Sequence, residues 1–89
     1  MYKLVYSENS IIDLKKIDKS IAQRIIKKLV FFAQQKDISK FSKQLNGFGN
    51  NKSRFRIGDY RAIFTVDKSG NIQILMILNI RHRREVYLK

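Results

Sequence analysis

The residues best equipped for chemistry in this sequence are its arginines. A guanidinium grips a phosphate or carboxylate through two parallel N–H···O bonds and stays charged at physiological pH, so it serves as an anion clamp and not as a base. Six of the seven, Arg54, Arg56, Arg61, Arg81, Arg83 and Arg84, stand in residues 46–89, whereas residues 1–45 hold nine of the twelve lysines and only Arg24. Each half carries a net +6, so the halves differ in the kind of base and not in charge. The first reads as a solvated cationic surface and the second points to phosphate. His82 is the only histidine and lies among Arg81, Arg83 and Arg84. No Gly-x-Ser-x-Gly is present, and nothing ties a serine to His82. Asp13 and Asp18 read as helix-start residues and Asp59 and Asp67 as turn residues, which leaves no carboxylate pair and no carboxylate metal site. With no Cys and one His, neither a disulfide nor a structural zinc site of the usual kind is expected. Phosphate chemistry here would rely on fixed cations and proton transfer.

Length and charge bound the rest. The chain has 89 residues, a net charge of +12, a pI near 10.3 and 44% hydrophobic residues. It reads as a single folded domain over 1–89, burying about 60% of its unfolded surface. Such an excess of positive charge repels itself and calls for an acidic partner: nucleic acid, an acidic protein or an anionic membrane. The longest apolar run, Ile74–Leu78, falls far short of the ~20 residues that span a bilayer, and neither expected helix has the character of a membrane-surface helix. No signal-peptide core is visible at the N-terminus, which predicts a cytoplasmic protein.

The elements that must position the arginines follow from periodicity. Tyr2–Tyr6 reads as a strand. Ser10 with Asp13, and Ser20 with Gln23, are spaced as capping boxes. Ile11, Leu14 and Ile17, then Ile21, Ile25, Leu29 and Phe32, recur at helical spacing and predict a helical hairpin. Residues 36–51 are polar with Phe41 and Leu45 as anchors, and Asn46–Asn51 reads as a loop. From Lys52 the pattern alternates with period two, predicting three antiparallel strands. Gly58-Asp59 forms a two-residue type II′ turn, and Lys68-Ser69-Gly70 a three-residue loop. The expected fold is α+β: an N-terminal strand, a helical hairpin and a three-stranded meander in one mostly antiparallel sheet.

Turn length sets register. A two-residue turn at 58–59 pairs Ile57 with Tyr60, Arg56 with Arg61 and Phe55 with Ala62. Lys52, Arg54, Arg56 and Arg61 then share one face, and Phe55, Ile57, Tyr60, Ala62, Phe64 and Val66 the other. A three-residue second loop sets Arg61 opposite Ile77, adds Arg81 to the cationic face and sends Ile72, Ile74, Met76, Leu78 and Ile80 to the apolar one. A two- or four-residue loop would move Arg81 to the other side. Like charges placed opposite one another destabilise a sheet, so this face is read as a phosphate site.

The segments Arg54-Phe55-Arg56-Ile57-Gly58-Asp59-Tyr60-Arg61 and Arg81-His82-Arg83-Arg84-Glu85-Val86-Tyr87 resemble the signatures of RelE-type toxins, within the RelE/ParE superfamily. The resemblance covers nearly the whole chain. It implies the toxin of a type II toxin–antitoxin system: a metal-independent mRNA endoribonuclease that acts in the ribosomal A site and needs no cofactor. The ribose 2′-OH attacks the adjacent phosphate, leaving a 2′,3′-cyclic phosphate and a 5′-OH. By resemblance Arg61 stabilises the phosphorane-like charge, Arg81 neutralises or protonates the leaving oxygen, and Tyr87 stacks on or orients the substrate. Lys52 and Arg54 fall where members place two lysines; an arginine at 54 leaves the base role open, with His82 as a candidate to share it. Lys52, Arg56, Arg83 and Arg84 are expected to contact RNA. Implied partners are an acidic antitoxin, the ribosome and mRNA, and operator DNA only through the antitoxin complex. Gyrase poisoning of the ParE type, and a non-catalytic RNA- or ribosome-binding toxin, are the alternatives.

Overall fold

The computed structural model describes residues 1–45 and 52–84. Strand β1 (Tyr2–Tyr6) leads into helices α1 (Glu8–Lys16) and α2 (Lys19–Ala33), then a 3-10 turn (Ile38–Phe41) and strands β2 (Ser42–Gln44), β3 (Ser53–Ile57), β4 (Tyr60–Ser69) and β5 (Ile72–His82). The sheet order is β1-β5-β4-β3-β2, with β1 parallel to β5 and the other pairs antiparallel. The α+β class and the mostly antiparallel sheet are as expected. Strand β2 is additional: at three residues it is too short to show a period.

The helix starts differ from the capping boxes expected. Ser7 caps α1, its Oγ accepting from Ser10 N–H. Asp18 caps α2 by accepting from both the N–H and the hydroxyl of Ser20. These serine bonds hold the Asp18 carboxyl below its ordinary range, and Ser39 does the same for Asp37 at the 3-10 turn. Ser10 and Asp13 lie inside α1, where Ser10 is fully buried.

The core lies between the helices and one face of the sheet. Ile25, Leu29, Phe32 and Ala33 of α2 meet Phe55, Ile57, Ala62 and Phe64. Phe32, Phe55 and Phe64 stack in a column with ring centroids 4.4 and 4.1 Å apart, which ties α2 to β3 and β4. The apolar stripe of α2 is therefore core, but Ile11 and Ile12 of α1 are exposed.

The β3–β4 register is the expected one, with Arg56 opposite Arg61. Gly58 has φ +60°, and no non-glycine residue described has positive φ, as a type II′ turn requires. The second hairpin departs from expectation. Ser69 pairs with Ile72, so the loop is the two residues Gly70-Asn71, with Gly70 at φ +60°. Continued unbroken, that register would set Arg81 opposite Tyr60. Instead the pairing shifts between Ile63 and Phe64: Phe64 meets Ile77, Ile63 meets Asn79, and Leu78 is passed over. The bulge shifts the strand's alternation by one residue. Below it the buried residues are Leu75 and Ile77, and above it Ile80. Ile72, Ile74, Met76 and Leu78 are thus not the core set that a three-residue loop predicts, and Arg61 meets Arg81 rather than Ile77.

Candidate active site: an arginine row across three strands

Three strands each contribute one arginine to a single row. Arg56 of β3 pairs with Arg61 of β4, which pairs with Arg81 of β5. Directly opposed residues stand about 4.5–5.5 Å apart at Cα, so three guanidinium-bearing side chains leave the sheet together, on the face away from the helices. Two residues along, Arg54 pairs with Ile63 on one side and with Lys43 of β2 on the other. Lys52 precedes β3, and its carbonyl accepts from the Leu45 N–H at 3.0 Å. Lys43 is a cation of this face that sequence reasoning missed, because it lies on the unanticipated strand.

The row is graded in exposure. Arg56 is exposed, Arg81 is half-buried, and Arg61 is only 2% exposed. The sequence sets Arg61 among the cations of a phosphate-binding face without indicating its burial; the structure encloses it at the centre of the row. Burying a guanidinium between two others is unfavourable unless its surroundings compensate. An anion brought to the row would be attracted to Arg61 more strongly for the exclusion of water around it.

The other site residues divide by position. His82 pairs with Tyr60, on the opposite face of the sheet from the row, and its ring meets the Tyr60 ring edge-on at 5.2 Å. Its Nδ1 accepts from Arg84 N–H at 3.2 Å. Arg83 is tied to the first hairpin turn: its N–H donates to the Asp59 carbonyl at 2.8 Å, and its Nε lies 3.8 Å from the Asp59 carboxylate. Both side chains of that ion pair are well exposed, where such a pair adds little stability. Arg84 is exposed. Tyr87 and the Asn46–Asn51 loop lie outside the described residues. Among the described residues, no group of three His, Asp or Glu side chains is placed to hold a metal ion.

The sequence from residue 4 to residue 87 matches the family model described as ParE toxin of type II toxin–antitoxin system, parDE. The chain belongs to this family of toxins. No curated protein sequence matches it. Among solved structures, this ParE-family toxin is similar to a chain of the RelBE2 toxin–antitoxin complex from Mycobacterium tuberculosis, with TM-score 0.71, 21% identity and coverage of 92% of this chain and 98% of that one. It is likewise similar to a chain of the archaeal RelE–RelB complex from Pyrococcus horikoshii, with TM-score 0.70, 24% identity and coverage of 92% and 94%. A chain of the intact E. coli RelBE complex gives TM-score 0.71 at 17% identity, with coverage of 92% and 96%. At these identities the likeness is one of fold. The toxin thus has the architecture of the RelE/ParE superfamily, as its two arginine motifs suggested.

Proposed function

We propose that this toxin is a ribosome-dependent endoribonuclease that cleaves mRNA in the A site by attack of the ribose 2′-OH on the adjacent phosphate. The observation that carries the reading is the row Arg56–Arg61–Arg81, with its centre enclosed. A phosphate passing through a pentavalent intermediate gains negative charge on its equatorial oxygens, and a fixed guanidinium in a water-poor site stabilises that charge most strongly. Arg61 holds those oxygens. Arg81, beside it, neutralises the leaving 5′-oxygen. Arg56 and Arg54 hold the flanking backbone, with Lys52 and Arg84 extending the RNA path, and Tyr87 orients the substrate. Arginine cannot serve as the base, which leaves that role to a lysine, to His82 or to the ribosome. His82 would have to act around the end of the sheet.

The partner is proposed to be an acidic antitoxin. Ile11, Ile12, Ile26, Val30 and Phe31 are exposed on the helices near Lys15, Lys19, Lys27 and Lys28. A groove of about 360 Å³ lined by Tyr6, Ile11, Leu14, Ala22 and Ile26 has Lys15 and Lys19 along it. An amphipathic segment with acidic flanks complements both features.

The family model favours one second reading, gyrase inhibition of the ParE type. Controlled expression followed by mapping of mRNA 5′ ends separates the two. New in-frame cleavages within translated messages, lost in Arg61→Ala and Arg81→Ala, are expected. Intact messages with a DNA-damage response would support the gyrase reading instead.

A further inference from the structure

The bulge in β5 decides which face of the sheet Arg81 serves, and the groups that hold it come from the cap and the middle of α1. In a regular strand the backbone groups of alternate residues point to the same edge. Ile77, Asn79 and Arg81 would then all address the β1 side. In this toxin Ile77 and Ile80 do so: the Ile77 carbonyl accepts from Ser7 N–H at 2.9 Å, and Ile80 N–H donates to Asp13 Oδ2 at 3.0 Å. Between them the Leu78 carbonyl accepts from Ser7 Oγ at 2.7 Å. Strand β1 ends at Tyr6, opposite Ile77, so beyond that point side chains replace a neighbouring strand on this edge. The Ser7 hydroxyl also caps α1, so one oxygen joins the helix start to the bulge.

We propose that Ser7 and Asp13 form a clamp that fixes the β5 bulge and thereby sets Arg81 opposite Arg61. Asp13 is a positioning residue for the arginine row. Its carboxylate supplies the acceptor that Ile80 N–H needs in the bulged register. In the unbulged register, which continues the Ser69–Ile72 pairing, Arg81 stands opposite Tyr60 on the helix side of the sheet. The clamp rests on the backbone geometry; only its consequence for RNA cleavage rests on the ribonuclease reading.

The chain has no native cysteine, so an introduced pair reports register directly. Arg61→Cys with Arg81→Cys, at directly opposed positions, is expected to form a disulfide under mild oxidation. Adding Asp13→Ala is expected to slow its formation at least fivefold and to promote the alternative pair, Tyr60→Cys with Arg81→Cys. Asp13→Asn retains an acceptor oxygen and is expected to restore the original pair. An unchanged rate in Asp13→Ala overturns the clamp. Should Asp13→Ala fail to fold, amide exchange in the wild-type chain decides: protection of Ile80 N–H within about tenfold of that of Ile77 supports the clamp, and rapid exchange at Ile80 overturns it. In parallel, Asp13→Ala alone is expected to lower mRNA cleavage about tenfold, with recovery in Asp13→Asn. A wild-type chain that cleaves no message would sink the ribonuclease reading, while the disulfide and exchange results still decide the clamp.

Discussion

Arg61 combines two properties that conflict in a purely structural residue: it is the most enclosed cation of the described surface, and it stands between two other arginines. Enclosure makes its charge more effective on an anion and less tolerant of replacement. Lysine would keep the charge but lose the planar fork that meets two phosphate oxygens. We therefore expect Arg61→Lys to retain RNA binding yet cleave message poorly, and Arg61→Ala to lose about 10²–10³-fold in rate, as for removal of a transition-state donor elsewhere. Single-turnover cleavage on programmed ribosomes measures both. Equal rates for wild type and Arg61→Lys would show that charge alone suffices. Arg83, tied to Asp59 at the first turn, belongs to a different class of cation.

At the scale of elements, the first hairpin turn sets the pairing of Arg56 with Arg61, and two carboxylate caps secure α2 and the 3-10 turn. Gly58 has φ +60°, and a Cβ there would meet nothing within 4 Å, so the cost of a side chain is conformational and not steric. Gly58→Ala is expected to destabilise the fold by about 1–2 kcal/mol, the usual cost of left-handed backbone for an L-residue. Denaturant titration measures it, and an unchanged midpoint would count against the turn assignment. The caps predict a pH dependence. Hydrogen bonds from Ser20 to Asp18 and from Ser39 to Asp37 lower the folded-state pKa of each carboxyl from the ordinary 3.8. Their contribution is therefore complete above that unfolded value and is lost as pH falls through the folded one. Thermal melting should weaken on acidification below about pH 4, and less steeply in the Asp18→Asn, Asp37→Asn double variant. Equal slopes for the variant and the parent would exclude the caps as contributors.

At the scale of the molecule, the net charge of +12 is divided by the sheet and helices into two surfaces. One is the arginine row with Arg54, Lys43 and Lys52 around it. The other is the lysine-rich, partly apolar outside of the helices. Among the described residues, no helix is long and apolar enough to cross a membrane. Binding to RNA should weaken steeply with salt, because each neutralised phosphate of a single strand adds about −0.7 to the slope of log K against log salt. Arg56→Ala, on the exposed end of the row, should weaken binding across sequences and reduce the magnitude of that slope by roughly the same amount. Fluorescence anisotropy with a short RNA at several salt concentrations tests this, and an unaltered slope would remove Arg56 from the RNA path.

The sequence by itself determined the local geometry. Gly58-Asp59 specifies its own turn, because a two-residue closure with glycine first leaves one pairing for the strands that flank it. That is why the pairing of Arg56 with Arg61 follows from the sequence alone. The core stripe of α2 was legible for the same reason, since helical spacing is a property of neighbours in the chain. The superfamily was legible in the two arginine motifs. Tertiary structure alone decided the placement of Arg81, the enclosure of Arg61 and the role of Asp13. Asp13 looks like a helix-start acid in sequence, yet its carboxylate serves the Ile80 amide 67 residues away. The loop at Gly70-Asn71 would by its length have turned Arg81 to the wrong face, and the bulge at Leu78 returns it. No local pattern marks that bulge. The hydrogen bonds placed to hold it come from Ser7 and Asp13, which approach β5 only once α1 has docked on the sheet.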